Sequence, residues 1–331
     1  VNKYGEGSSV ICGQAFPNLW NAAYNKPYSV YLVKQGAGVM STKKNPDHQV
    51  LAKTDIYPVY ELVENSTDSR VTICPERGGI VISFVSKGRE LLYLDRETYT
   101  DPVANIRGGI PVLFPISGQL PGGRYEWEGE AYTIKNHGVA RDRAWEVVGT
   151  DEDGQAALTL RLTDSAATYE VFPFHFELVF TYRLKDGKLS IQQEYRNGSD
   201  RPLPMYAGFH PYFALKPGPV HYQTDATRML DYNDMMEKEF SGNLDLSEMV
   251  EAVALLDAKE REIAFEVGEG TSVRLRYSDV FRYVVLWTAA NKPFVCVEPW
   301  MAKNGEMLRG DELVRVAPGE TLQAEFVIET A

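Results

Sequence analysis

The 331-residue sequence predicts an all-β protein, a large antiparallel β-sandwich or barrel, on three observations. Short β-branched and aromatic runs follow one another from about Tyr57 onward, punctuated by Gly, Asn and Asp. One pair of runs flanks an Asp-Gly dipeptide, which supplies the positive φ angles of a tight hairpin. Helical periodicity is thin, so strands do not alternate with amphipathic helices as a parallel α/β sheet would require.

Taken in order, Val71–Cys74 and Ile80–Val85 are β-branched runs separated by Gly78-Gly79, and Leu91–Leu94 is a short apolar run. Leu158–Thr163 alternates with period two, as a half-buried antiparallel strand does. Phe176–Leu184 and Leu189–Tyr195 flank Lys185-Asp186-Gly187-Lys188 as the hairpin, and Asn197-Gly198-Ser199-Asp200 ends its second strand. Further strands are predicted at Ser272–Tyr277, Tyr283–Thr288, Phe294–Val297 and Leu322–Glu329. The one helix predicted covers Leu246–Leu256, with Asp245 or Ser247 placed to cap it.

The length allows two ordinary domains or one large β-rich one, and no Pro/Ser linker or shift of composition divides the chain after residue 50. Residues 51–331 are therefore expected to form a single domain, preceded by an N-terminal extension over residues 1–50 in which Met40 is the expected natural start. No fixed-period repeat is present.

Lys plus Arg number 34 against 46 Asp plus Glu, a formal net charge of −12. That balance speaks against a nucleic acid or an anionic membrane as partner, since both need a clustered basic surface. No apolar stretch approaches the roughly 18 residues of a membrane-spanning helix. Cys12, Cys74 and Cys296 are too few and too scattered for a disulfide scaffold, and none sits in a C-x-x-C pair, so a reducing cytoplasm is the expected setting.

Five histidines narrow the search for chemistry. His137 lies in Asn136-His137-Gly138-Val139-Ala140-Arg141, where the glycine lets backbone approach closely, and His210 lies in Gly208-Phe209-His210-Pro211-Tyr212-Phe213, among aromatics. For either one alone the favoured reading is the plainer one, a histidine satisfied by core or turn hydrogen bonds. His175 has the place of a strand-entry residue, and His48 and His221 have no context that lifts them. Glu298, in Cys296-Val297-Glu298-Pro299-Trp300, follows a buried-looking run that Pro299 is expected to end. A neighbouring Trp there would exclude water and raise a carboxyl pKa toward the range of a general base; the plainer alternative is a strand-end Glu in an ion pair. Arg107-Gly108-Gly109 is a glycine-turned segment carrying one Arg and is no nucleotide loop; G-x-S-x-G, H-E-x-x-H and EF-hand patterns are absent.

Four segments in this order, Arg107-Gly-Gly-Ile-Pro with Phe114-Pro115, His137-Gly-Val-Ala-Arg141, Gly208-Phe-His210-Pro-Tyr-Phe213 and Val297-Glu298-Pro299-Trp300, make the chain resemble the aldose 1-epimerase (galactose mutarotase) superfamily over about residues 57–329. The branch it is most similar to is that of the glucose-6-phosphate 1-epimerase-like proteins. The resemblance implies a galactose mutarotase-like supersandwich with a sugar in an open cleft on one sheet. It also implies interconversion of the α and β anomers of an aldohexose or hexose 6-phosphate by acid–base ring opening, with no metal or redox cofactor. By the family pattern Glu298 is the base, His210 the acid and His137 a ligand of the ring oxygen or a hydroxyl, while Arg107 anchors hydroxyls near the anomeric end. An acidic residue after the His210 strand holds further hydroxyls, with Asp231 the first candidate and Asp234 the second. Trp300, Phe209 and Tyr212 could face the sugar's C–H groups, although strand aromatics are more often core.

A sugar phosphate would need local cations, and Arg107 with Arg141 is the available pair; Arg141 is equally a structural ion-pair partner. Two other readings compete: a non-catalytic carbohydrate-binding protein on the same fold, and a glycoside hydrolase, which needs a second catalytic carboxylate that the sequence does not offer.

Overall fold

The structure, a computed structural model, describes residues 46–268 and 270–330. The proposed extension and Met40 lie largely outside the described residues. The strand His48–Thr54 straddles the boundary expected at residue 50, pairing in full with Pro58–Glu64.

Nearly every element is a strand, and each strand-to-strand pairing is antiparallel. The first strands, from His48 to Glu90, form a five-stranded meander in chain order. A nine-stranded sheet has the long strands Thr321–Thr330, Lys188–Asn197, Phe176–Lys185 and Ala156–Thr163 side by side. An eight-stranded sheet is built around Tyr283–Trp287 and Phe294–Trp300, with the short strands Gly208–Phe209 and Tyr212–Ala214 against the latter. One hydrophobic core joins all three, from Leu62 and Ile73 through Phe180 and Tyr195 to Phe209, Leu286 and Val297.

The local physics behind the long strands is period-two burial. Along Phe176–Lys185 the residues Phe176, Leu178, Phe180, Tyr182 and Leu184 are buried, and each of their neighbours is less so. Asp186 and Gly187 both take positive φ, 54° and 71°, as the two-residue hairpin requires. Gly78 and Gly79 likewise turn the chain with φ of 86° and 64°.

Two expectations are corrected. Leu246–Leu256 is not a helix: Asp245 accepts the backbone N–H of Ser247 in a local turn, and Val253–Leu255 is a strand paired on both sides, with Arg228–Asp231 and Tyr283–Trp287. The helical spacing was real, but two sheet neighbours outweigh a single marginal helix. Pro299 does not end its strand either, since it pairs with Val284 and the ladder runs on to Trp300. The N–H of Met301 points to the Ala207 side, so the Pro299 nitrogen faces the same side, where only Cys296 and earlier residues pair with Tyr212–Ala214 and Trp300 with Gly208. Pro299 thus sits where no ladder donor is missed.

Candidate active site

Side-chain alternation on three neighbouring strands builds the site. Val284 and Leu286, Val295 and Val297, and Phe209 and Phe213 enter the core, so Val285 and Trp287, Cys296, Glu298 and Trp300, and His210 and Tyr212 are turned to the opposite face of the eight-stranded sheet. That face forms the floor of a cleft of about 310 Å³, at the small end of the range for ligand pockets. Arg107, His137, Arg141, His210, Glu298 and Trp300 all line it, together with Tyr212, Trp287, Asn304, Gln119 and Glu251.

The segments that carry the wall residues are held by glycines. Gly108 has a φ of 141°, and a Cβ there would lie 2.6 Å from Leu94 Cα and Tyr93 O, so the chain after Arg107 passes flush against its neighbour. Gly138, with φ 78°, leaves no room for a Cβ, which would stand 2.2 Å from Phe114 O. His137 itself takes a φ of 67°, and its N–H is held by Gly118 O at 2.9 Å.

On the floor, His210 Nε2 stands 3.4 Å from Glu298 Oε1. Trp300 Nε1–H donates to the other carboxylate oxygen at 3.0 Å. The imidazole of His210 stacks on Tyr212, centroids 4.6 Å apart at 10°, and meets His137 edge to face at 5.3 Å. Glu298 is 1% exposed and His210 6%. Burial pushes the Glu298 carboxyl well above its ordinary range and the His210 imidazole well below its own, with the neighbouring His137 and Arg141 adding to the latter. His137 is driven down to about 3 by burial and by Arg141. Both shifts favour the uncharged pair, carboxylic acid and neutral imidazole, over an ion pair.

Arg141 is half-buried and donates to Ile106 O at 3.2 Å. Ile106 and Arg141 also wall a neighbouring hollow of about 270 Å³ that holds Arg77 and Lys135. Arg107 is exposed at the cleft mouth, and no carboxylate pairs with it among the described residues.

Asp231 does not line the cleft: one carboxylate oxygen accepts from the backbone and side-chain N–H of Asn233, and the other binds Lys238 Nζ at 2.6 Å. Asn233 in turn accepts from the N–H groups of Val250 and Glu251 and donates to Glu251 O, so Asp231 props the rim that presents Glu251. Asp234 is exposed and pairs with the same lysine at 2.7 Å. Phe209 is core, whereas Tyr212 and Trp300 line the cleft. Sequence reasoning missed Glu251, Asn304, Gln119 and Trp287. Asn304 and Gln119 sit in loops, and the Asn304 side chain accepts the Gln119 N–H at 3.0 Å, a contact 185 residues apart that no local pattern signals.

The aldose 1-epimerase family model matches residues 60–329. Among solved structures, the Slr1438 protein from Synechocystis sp. PCC 6803 is 33% identical with a TM-score of 0.79, covering 88% of this chain and 99% of its own. Galactose 1-epimerase from Lactobacillus acidophilus shares the fold at 14% identity and a TM-score of 0.67, covering 87% of this chain and 99% of that one. Among curated relatives, a glucose-6-phosphate 1-epimerase-like protein of Cenchrus ciliaris is 30% identical over 173 residues, 48% of each chain. With a family match over nearly the whole described region, an antiparallel mutarotase-like fold and a sheet-face cleft in common with the expected architecture, the chain belongs to the aldose 1-epimerase family.

Proposed function

We propose that this protein is an aldose 1-epimerase that interconverts the α and β anomers of an aldohexose or its 6-phosphate, without a cofactor. The observation that carries the reading is the juxtaposition of Glu298 and His210, 3.4 Å apart on the floor of a cleft whose wall is His137. Ring opening removes the proton of the anomeric hydroxyl and adds one to the ring oxygen, so net proton count is unchanged. A buried pair that shares one proton matches that stoichiometry. Glu298 takes the O1 proton while His210 delivers one to O5; the aldehyde turns about C1–C2 and closes on its other face as the two residues exchange roles. A sugar hydroxyl hydrogen-bonded to Glu298 favours its ionised form, which moves the shared proton onto His210. His137, neutral at physiological pH, offers a hydrogen bond rather than a charge to the ring oxygen or a hydroxyl. Trp300 and Tyr212 supply apolar faces for C–H groups.

Arg107 and Arg141 support a phosphorylated substrate, since the first is exposed with no carboxylate partner among the described residues and the second lines the same cleft, tied to Ile106 O next to Arg107. Likeness to glucose-6-phosphate 1-epimerase-like proteins supports the same choice. The scattered cysteines suit a cytoplasmic enzyme of sugar metabolism.

NMR saturation transfer between anomers of glucose, galactose and glucose 6-phosphate tests the proposal, with wild type against Glu298→Gln and His210→Ala. Exchange in the wild type that falls by about 10²–10⁴-fold in each variant is the expected result. Sugar binding by calorimetry with no exchange for any sugar would replace it with the carbohydrate-binding reading.

A further inference from the structure

The strand that bears Glu298 turns a second, unassigned group to the same face. Cys296, two residues earlier, is wholly buried, is opposite Tyr212 on one side and Trp287 on the other, and has no part in the acid–base chemistry above. Ligand atoms of His210, Cys296 and Glu298 all lie within 4.8 Å of one another. Zinc binds sulfur, imidazole nitrogen and carboxylate oxygen at about 2.0–2.3 Å in tetrahedral geometry, which sets neighbouring donors about 3.3–3.5 Å apart. The 3.4 Å between His210 Nε2 and Glu298 Oε1 already meets that separation. The Cys296 thiol, within 4.8 Å of both other donors, completes a three-donor face by closing on them.

We propose that this face is a site for thiophilic divalent ions such as Zn²⁺ and Cd²⁺, which lock the floor of the cleft by coordinating Cys296, His210 and Glu298. His210 and Glu298 line the cleft and Cys296 lies beneath them, so the fourth coordination position opens toward the space a sugar would occupy. The charge balance suits a buried site: a dication meets one thiolate and one carboxylate, giving a neutral cluster, and the thiol and carboxyl protons leave as two H⁺ per ion bound. Asp47, His48 and Glu64 form the other such cluster among the described residues, but Glu64 is consumed by the N–H groups of Asp186 and Gly187 and by Thr67, and no thiol is present there.

The test is a Cd²⁺ titration of the full chain in thiol-free buffer, followed by the ultraviolet thiolate-to-cadmium absorption, a readout independent of any sugar activity. The expected result is one band saturating at one equivalent, with two protons released, displaced by Zn²⁺. Cys296→Ala loses the band and Glu298→Gln weakens binding by more than about tenfold, while Cys74→Ala leaves both unchanged. Absence of a sulfur band in the wild type, or a band that persists in Cys296→Ala, overturns the proposal. If Cys296→Ala does not fold, an unweakened Glu298→Gln overturns it instead. A wild type that binds Cd²⁺ in this way yet exchanges no sugar anomers would sink the proposed enzyme activity and leave the metal site standing.

Discussion

Glu298 is held in a place that opposes its own ionisation. Its carboxyl pKa is raised above the ordinary 4.5 by burial, so the folded state binds that proton more tightly than the unfolded chain does. The stabilisation is present in full below pH 4.5 and is lost as pH rises toward the folded-state pKa. Glu298→Gln, which cannot ionise, is therefore expected to melt higher than wild type at pH 7 and to converge with it near pH 4, a trend that thermal melts across pH would show. Trp300 keeps its acceptor in that variant, because an amide oxygen can replace the carboxylate oxygen. His210 carries the opposite sign, its pKa being lowered from 6.5, so its contribution is present above pH 6.5 and fades as pH falls. Asp231 separates a sugar ligand from a structural prop. Asp231→Ala strands Asn233 and Lys238 and is expected to cost about 1–3 kcal/mol in denaturant unfolding, with KM for the sugar rising less than tenfold through the loosened Glu251 rim. Anomer exchange abolished at unchanged stability would show instead that Asp231 holds the sugar directly.

At the scale of elements, the site depends on how closely two loops approach the sheets. Gly138→Ala places a methyl group 2.2 Å from Phe114 O at a φ of 78°, so backbone must move and His137 moves with it. The expected outcome is a loss of at least about 1–3 kcal/mol together with a fall in kcat/KM, read by melting and by anomer exchange on the same preparation. The Leu246–Leu256 segment shows why local spacing misled: its strand exists only because Met229–Asp231 and Val284–Leu286 are waiting on either side. The Phe176–Asn197 hairpin, by contrast, was legible because its turn residues, alternation and register all lie within 22 consecutive positions.

For the whole molecule, the −12 net charge matters less than where Arg107 stands, at the cleft. The long-range field is screened beyond about 8 Å at physiological salt. Arg107→Ala is accordingly expected to raise KM for glucose 6-phosphate by tenfold or more (~1.4 kcal/mol) while changing that for glucose far less. An equal effect on both sugars would assign Arg107 to hydroxyls instead. Among the described residues, the buried core side chains run from Val59 to Ile328. A chain that begins at residue 46 is expected to unfold in one cooperative transition by circular dichroism, the check on a single domain.

What the sequence by itself determined was the antiparallel β class, the sharpest hairpin and, through four ordered motifs, the family and the residues His137, His210 and Glu298 to watch. Those follow from chemistry written locally: period-two burial, positive-φ turn residues and short segments of fixed composition. Only the tertiary structure decided that Glu298 and His210 are 3.4 Å apart, that Asp231 is committed to Asn233 and Lys238, and that Glu251, Asn304 and Cys296 gather around the same floor. Each of these is a meeting of strands or loops far apart in the chain. Which partner a side chain meets there is set by sheet register and loop packing, quantities that no single segment encodes.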